Sequence, residues 1–177
     1  MTKRKFLNTL SNGKQDILQK IFNLLEKMNI DYCLIGGLAV NAYVEPVVSL
    51  DVDLIIEMTA LDTFLEKVPR ALGVKVEKFT HSLILSSSKS DLRIQIQTVK
   101  RYQDFIPRSS KKAVMGYKIK VARIEDVLQG KVWAYMDKQR RESKRLKDLA
   151  DIFRLVEAFP VLKELLPGVI KEKFSKK

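Results

Sequence analysis

The chain predicts an α+β fold: a mixed β-sheet with flanking helices and a C-terminal helical extension. Two observations carry this. Short strand-like runs and amphipathic helices interleave up to about residue 122, and from about Ile124 onward the pattern is helical alone. We therefore expect a sheet domain over residues 1–122 and a helical region over residues 123–177, packed on it as one unit. A chain of 177 residues, 46% of them apolar, is long enough to bury a substantial core.

The elements follow in order. Residues 11–29, "SNGKQDILQKIFNLLEKMN", place Ile17, Leu18, Ile21, Phe22, Leu25 and Met28 at helical spacing behind a Ser/Asn start. "DYCLIGG" reads as a short buried strand that ends in glycines, "GLAVNAY" as a brief helix and "SLDVDLIIEM" as a strand. "TALDTFLEKVPRALG" opens on a Thr-x-x-Asp capping pattern and stops at Gly73, as a surface helix does. The runs "VKVEKF", "SLILSS" and "LRIQIQTV" alternate apolar and polar residues, which predicts a sheet with one face buried. "YQDFIPRSS" reads as a loop and "YKIKVARI" as one more strand. Two helices follow, "IEDVLQGKVWAYMDKQRR" and "SKRLKDLADIFRLVEAF", with Pro160 and Pro167 as breakers beyond them.

Composition excludes several classes of chemistry. No stretch approaches the ~18–20 apolar residues of a membrane span, and "MTKRKFLNTLSNGKQD" lacks the apolar core of a secretion signal, so a cytoplasmic protein is expected. The one cysteine, Cys33, sits in an apolar run and reads as core, and the one histidine, His81, cannot build a zinc site with it. Any metal must be held by carboxylates, which favours magnesium or manganese. The net charge of +12 points to a polyanionic partner, with RNA, DNA or nucleotide phosphates ahead of a membrane.

The segment "LIGGLAVNAYVEPVVSLDVDLII" concentrates the chemistry. In a strand, residues i and i+2 point to one face about 6.5–7 Å apart, so Asp51 and Asp53 project together while Val52 and Leu54 enter the core. Two carboxylates that close repel unless a cation lies between them, and magnesium combines a few carboxylates with phosphate oxygens. Gly36 and Gly37, at the end of the preceding strand, would let a triphosphate approach backbone N–H groups. Each feature alone is commonplace, as a tight turn or a solvated strand edge. Their order and spacing together describe a phosphate cradle facing a metal site.

Gly-Gly-x-Ala-Val followed by a strand with Asp-x-Asp resembles the nucleotidyltransferase superfamily, which includes DNA polymerase β. The later stretch "VARIEDVLQGKVWAY…KRLKDLADIFRL" is similar to AbiEii-type toxins, the nucleotidyltransferases of type IV toxin–antitoxin systems, and to related minimal nucleotidyltransferases. The resemblance covers roughly residues 30–157. It implies metal-dependent transfer of a nucleoside monophosphate from an NTP to an acceptor, in the toxin branch the 3′ end of tRNA, with an antitoxin as cognate partner. It also implies nucleotide contacts for Ser49, Lys131, Lys147, Asp148 and Asp151, beside Gly36 and Gly37. Independently, Ile124, Val127 or Leu128, Lys131 and Tyr135 recur at helical spacing, so Lys131 falls on an apolar face and needs an anion or a snorkelling path. Lys147 and Asp151 stand at i,i+4, the spacing of an ordinary helical salt bridge.

The sequence departs from the family in three places. The strand that usually supplies a third carboxylate is "DLRIQIQTV", which aligns Gln95 with that position, or Gln97 in the other register. A glutamine ligates weakly through its oxygen and accepts no proton near neutral pH. Val47 replaces an arginine found four residues before the first aspartate in some members, and Ser49 replaces a threonine. Gln95 therefore separates two expectations: a nucleotidyltransferase, or a protein of that fold that binds nucleotide or RNA without transfer. Transfer to a small molecule, as in enzymes that nucleotidylate aminoglycosides, asks for an acidic pocket and suits a +12 chain poorly. "DKQRRESKRLK", with six basic residues against Asp137 and Glu142, is a candidate RNA-tracking segment or a solvated turn.

Overall fold

The computed structural model describes residues 2–13 and 15–174. The chain divides into two compact units, Met1–Arg123 and Ile124–Lys177. The first holds helices α1 (Lys3–Leu10), α2 (Ile17–Lys27), α3 (Gly36–Val40) and α4 (Leu61–Leu72). Its strands are β1 (Tyr32–Ile35), β2 (Asp51–Ile56), β3 (Lys75–Lys78), β4 (Ser82–Ser87), β5 (Ser90–Gln97), β6 (Ser110–Val114) and β7 (Tyr117–Val121). They form one mixed sheet in the order β3-β4-β5-β2-β1-β7-β6.

The apolar alternation reads out as burial. Val52, Leu54, Ile94 and Ile96 on β2 and β5 are buried, and the residues between them, Asp51, Asp53, Arg93 and Gln95, are not. Ile17, Leu18, Ile21, Phe22 and Leu25 bury one face of α2, and Phe64 and Val68 do so for α4. Near-complete burial of such side chains is worth about 1.5–3 kcal/mol each, which makes them the main source of stability here. Helix α4 ends at Gly73, the stop read from the sequence, in the left-handed conformation at φ 63°.

Three local expectations are corrected. Ser11 and Asn12 do not start α2: the Ser11 N–H bonds to Leu7 O, Asn12 turns left-handed at φ 48°, and the pair ends α1. Helix α2 is capped by Asp16, whose Oδ1 accepts the Gln19 N–H at 2.9 Å. Thr59 does not cap α4 either: it lies in a 3₁₀ turn, Met58–Ala60, and the N-cap position is Ala60 with no side-chain bond. "YQDFIPRSS" is not a plain loop, since Lys100–Phe105 is a 3₁₀ helix and Ser110 opens β6.

Asp16 does more than cap. Arg4 Nε of α1 lies 2.6 Å from its Oδ2, and Tyr117 of β7 donates its hydroxyl to Oδ1 at 2.9 Å, so one carboxylate ties α1, α2 and the sheet together. Burial pushes its pKa up, but the bonds from Gln19, Arg4 and Tyr117 outweigh that and hold it below its ordinary value of 3.8. Asp16→Ala is expected to cost about 2 kcal/mol, a cap plus an ion pair. A carboxylate with a depressed folded pKa contributes stability that is present above its unfolded value and is lost as pH falls through the folded one. Urea melts at pH 7 and pH 3 should therefore show the gap between wild type and variant closing in acid; an equal gap at both would refute this role.

The second unit is a helical hairpin, α5 (Ile124–Met136) and α6 (Glu142–Ala158), followed by a 3₁₀ turn at Pro160–Leu165, α7 (Gly168–Lys171) and a final 3₁₀ turn at Glu172–Phe174. Phe174 returns onto α6, its ring centroid 4.2 Å from that of Phe153. No helix among the described residues is long and apolar enough to cross a membrane.

Candidate active site

Strand β2 carries the paired carboxylates in the middle of the sheet. Antiparallel β1 lies on one side, with Ile35 opposite Asp53, and parallel β5 on the other, with Arg93 opposite Asp51 and Gln95 opposite Asp53. Partners in register share a face, so Asp51, Asp53, Arg93 and Gln95 all project from one side of the sheet. The open question of register is closed: Gln95 is the neighbour of Asp53, and Gln97 lies beside Ile55. Asp91, on the same face, is engaged elsewhere, accepting from Asn12 Nδ2 at 2.6 Å.

Gly36 follows directly on Ile35 at φ +71° and begins α3. A Cβ added there would fall 2.1 Å from Asp53 Oδ2 and within 2.9 Å of its Cγ and Cβ. The bare backbone of Gly36 is thus what gives the Asp53 carboxylate its place. Gly37 is the next residue of α3. Ser49 sits at the mouth of β2, its Oγ 3.3 Å from both the backbone N and the backbone O of Asp51. The loop before it is clasped by Asn41, which donates from Nδ2 to Val47 O at 2.7 Å and accepts the Val47 N–H at 3.0 Å. Asn41 carries no sequence signal of this role, since an amide just past a short helix looks like any turn residue.

The two aspartates and the Gly36 backbone fit a divalent cation with phosphate oxygens completing its shell. Asp51 and Asp53 would hold that cation. Gln95 offers only an amide beside it.

In the helical unit Lys131 is buried, with 7% of its surface exposed. Its anions are Asp148 and Asp151, with Nζ 2.9 Å from Asp148 Oδ1 and 2.6 Å from Asp151 Oδ2. Arg140 and Arg154 close the network from outside, each at 2.7 Å, on Asp148 and Asp151 respectively. Burial alone would depress the Lys131 pKa, but the two carboxylates carry it above its ordinary value. The lysine does not snorkel, and Asp151 pairs with Lys131 in place of Lys147, which lies exposed. The basic segment at the hairpin turn is also partly committed. Arg140 serves the network, and Arg145 donates to Tyr135 O at 2.7 Å, while Lys138, Arg141 and Lys147 stay exposed. Arg108 lies over the Phe105 ring at 5.8 Å.

Solved structures of the same fold include the antibiotic-resistance factor ANT(2″)-Ia in complex with adenylyl-2″-tobramycin. It aligns at TM-score 0.65 and 14% identity over 89% of this chain and 97% of that one. The lincomycin-bound lincosamide antibiotic adenylyltransferase LnuA aligns at TM-score 0.56 and 16% identity over 81% and 99%. An antigenic nucleotidyltransferase-like protein from Paracoccidioides brasiliensis aligns at 0.53 and 18% over 85% and 75%. At these identities the likeness establishes the nucleotidyltransferase fold. A comparison with curated proteins found no match. The family model for the nucleotidyl transferase AbiEii toxin of type IV toxin–antitoxin systems matches residues 26–177, through both units, and the chain belongs to that family.

Proposed function

We propose that this protein transfers a nucleoside monophosphate from an NTP to the 3′ end of an RNA acceptor, tRNA foremost, with magnesium or manganese held by Asp51 and Asp53. The observation that carries this is the fit of Asp53 between the Gly36 backbone on one side and Gln95 on the other. The cation, when bound, offsets the charge of the triphosphate and of the departing pyrophosphate. The chain's own residues do the rest. Asp51 and Asp53 present acceptor-only oxygens on one face, the Gly36–Gly37 backbone gives phosphates room, and Ser49 fixes the mouth of β2. A bond forms between the acceptor oxygen and the α-phosphorus while the bond from that phosphorus to the β-phosphate's bridging oxygen breaks. Gln95 can orient the acceptor hydroxyl through Oε1, but the proton leaves to solvent.

An RNA acceptor suits the net charge of +12 and the exposed Lys138, Arg141 and Lys147. In this proposal the Lys131–Asp148–Asp151 network fixes the helix pair that presents those cations. The toxin family supplies the case for a cognate antitoxin and a cytoplasmic setting, where NTP and tRNA are available. Gln95 favours one second reading, a protein of this fold that binds nucleotide or RNA without transfer.

Incubation with each α-labelled NTP, magnesium or manganese, and total tRNA tests both. Label on RNA is expected, falling by at least ~1,000-fold in an Asp51→Ala/Asp53→Ala variant. Metal-dependent NTP binding without label, with activity appearing in Gln95→Asp, would select the binding protein. Absence of NTP binding would overturn both.

A further inference from the structure

Charge at the site is set by the register as much as by the aspartates. Two-cation phosphoryl-transfer sites clamp the attacking and leaving oxygens between metals about 3.5–4 Å apart, and they need carboxylates enough to hold +4. Beside Asp51 and Asp53, this face of β5 offers a neutral amide at Gln95 and a guanidinium at Arg93. The four side chains sum to −1. Among the described residues no group of three or more His, Cys, Asp or Glu gathers that could hold a metal.

The flanks of β2 are also unlike each other. Gly36 and α3 border it on the β1 side, where the bare Gly36 backbone makes room for the Asp53 carboxylate. Arg93 and Gln95 border it on the β5 side. Arg93 is exposed on that face, in register with Asp51. An exposed guanidinium there repels a divalent ion and offers planar donors to a phosphate oxygen.

We propose that the site takes one divalent cation rather than two, and that Arg93 supplies the positive charge of the second on the acceptor side. This rests on the nucleotidyl-transfer reading and assigns Arg93 a place in it: it meets the acceptor's phosphate across from the glycines that admit the NTP.

Counting bound metal tests the inference without relying on turnover. The full chain is titrated with Mn²⁺, followed by electron paramagnetic resonance, in the presence of each of four α,β-methylene NTP analogues. One Mn²⁺ per bound analogue is expected for the wild type. Arg93→Gln/Gln95→Asp removes a positive charge and adds a negative one. It is expected to bind a second Mn²⁺ about 100-fold more tightly than the wild type does, with a count of two. A count of two in the wild type overturns the inference and leaves the transfer reading standing. A count of one in the double variant also overturns it, because these residues then do not set the number. No Mn²⁺ and no analogue bound by the wild type overturns the transfer reading itself.

Discussion

Gly36→Ala is expected to lower the proposed nucleotidyl transfer by at least ~100-fold in a chain that still folds, because it moves the Asp53 carboxylate, proposed to hold the cation, rather than removing it. The new methyl would stand 2.1 Å from Asp53 Oδ2, with the Asp53 Cγ and Cβ also inside 2.9 Å. Either the Asp53 side chain turns away or the start of α3 shifts, and each separates the carboxylate from the Gly36–Gly37 backbone. The backbone adds its own cost, since φ +71° strains an L-residue by about 1–2 kcal/mol. That strain alone is a small part of the 5–15 kcal/mol that stabilises a typical domain, so unfolding is not the expected outcome. A double variant separates the two effects. If the clash is with the Asp53 side chain, Gly36→Ala/Asp53→Ala should be more stable than Gly36→Ala alone, leaving only the backbone strain. Wild-type transfer rates in Gly36→Ala would show that the contact does not govern catalysis.

How much of this was legible depends on the range over which the physics acts. Asp51, Asp53 and Gly36 could be read because a period of two and a glycine at the end of an apolar run are local signals, and the structure places them together. Gln95 came from the resemblance, with Gln97 as its alternative, and only the parallel register of β5 on β2 separates the two. Arg93 stood in plain view two residues before Gln95, yet only the register shows that it flanks Asp51. Helix α1 left little signal, since one residue of its eight, Leu7, is buried and Ser11–Asn12 resemble the start of the next helix. Strand β6, "SKKAV", was missed for a related reason. Lysines on an edge strand break the apolar alternation while protecting the sheet from further pairing. Its two-residue turn, Met115 at φ 49° and Gly116 at φ 88°, has glycine at only one of two left-handed positions.

Lys131 shows both the reach and the limit of such a reading, and it carries the largest expected effect on stability. Its spacing on α5 asked for an anion or a snorkelling path; the anion came from α6, 17 residues away, which no helical periodicity encodes. Lys131→Met fills a similar volume but leaves Asp148 and Asp151 facing each other across the site the ammonium held. Removing one partner from a buried ionic cluster costs about 3–5 kcal/mol, because the remaining charges are desolvated without compensation. Arg140 and Arg154 relieve part of this from the periphery, yet both are more exposed than the lysine they would replace. Trp133, the only tryptophan of the chain, lies on α5 two residues beyond Lys131 and reports on this unit in urea melts followed by fluorescence. Lys131→Met/Asp148→Asn/Asp151→Asn should regain most of the lost stability, since a neutral site no longer buries unpaired charge. Equal destabilisation of the single and triple variants would show that packing around the lysine stem, and not the paired charges, holds the hairpin together.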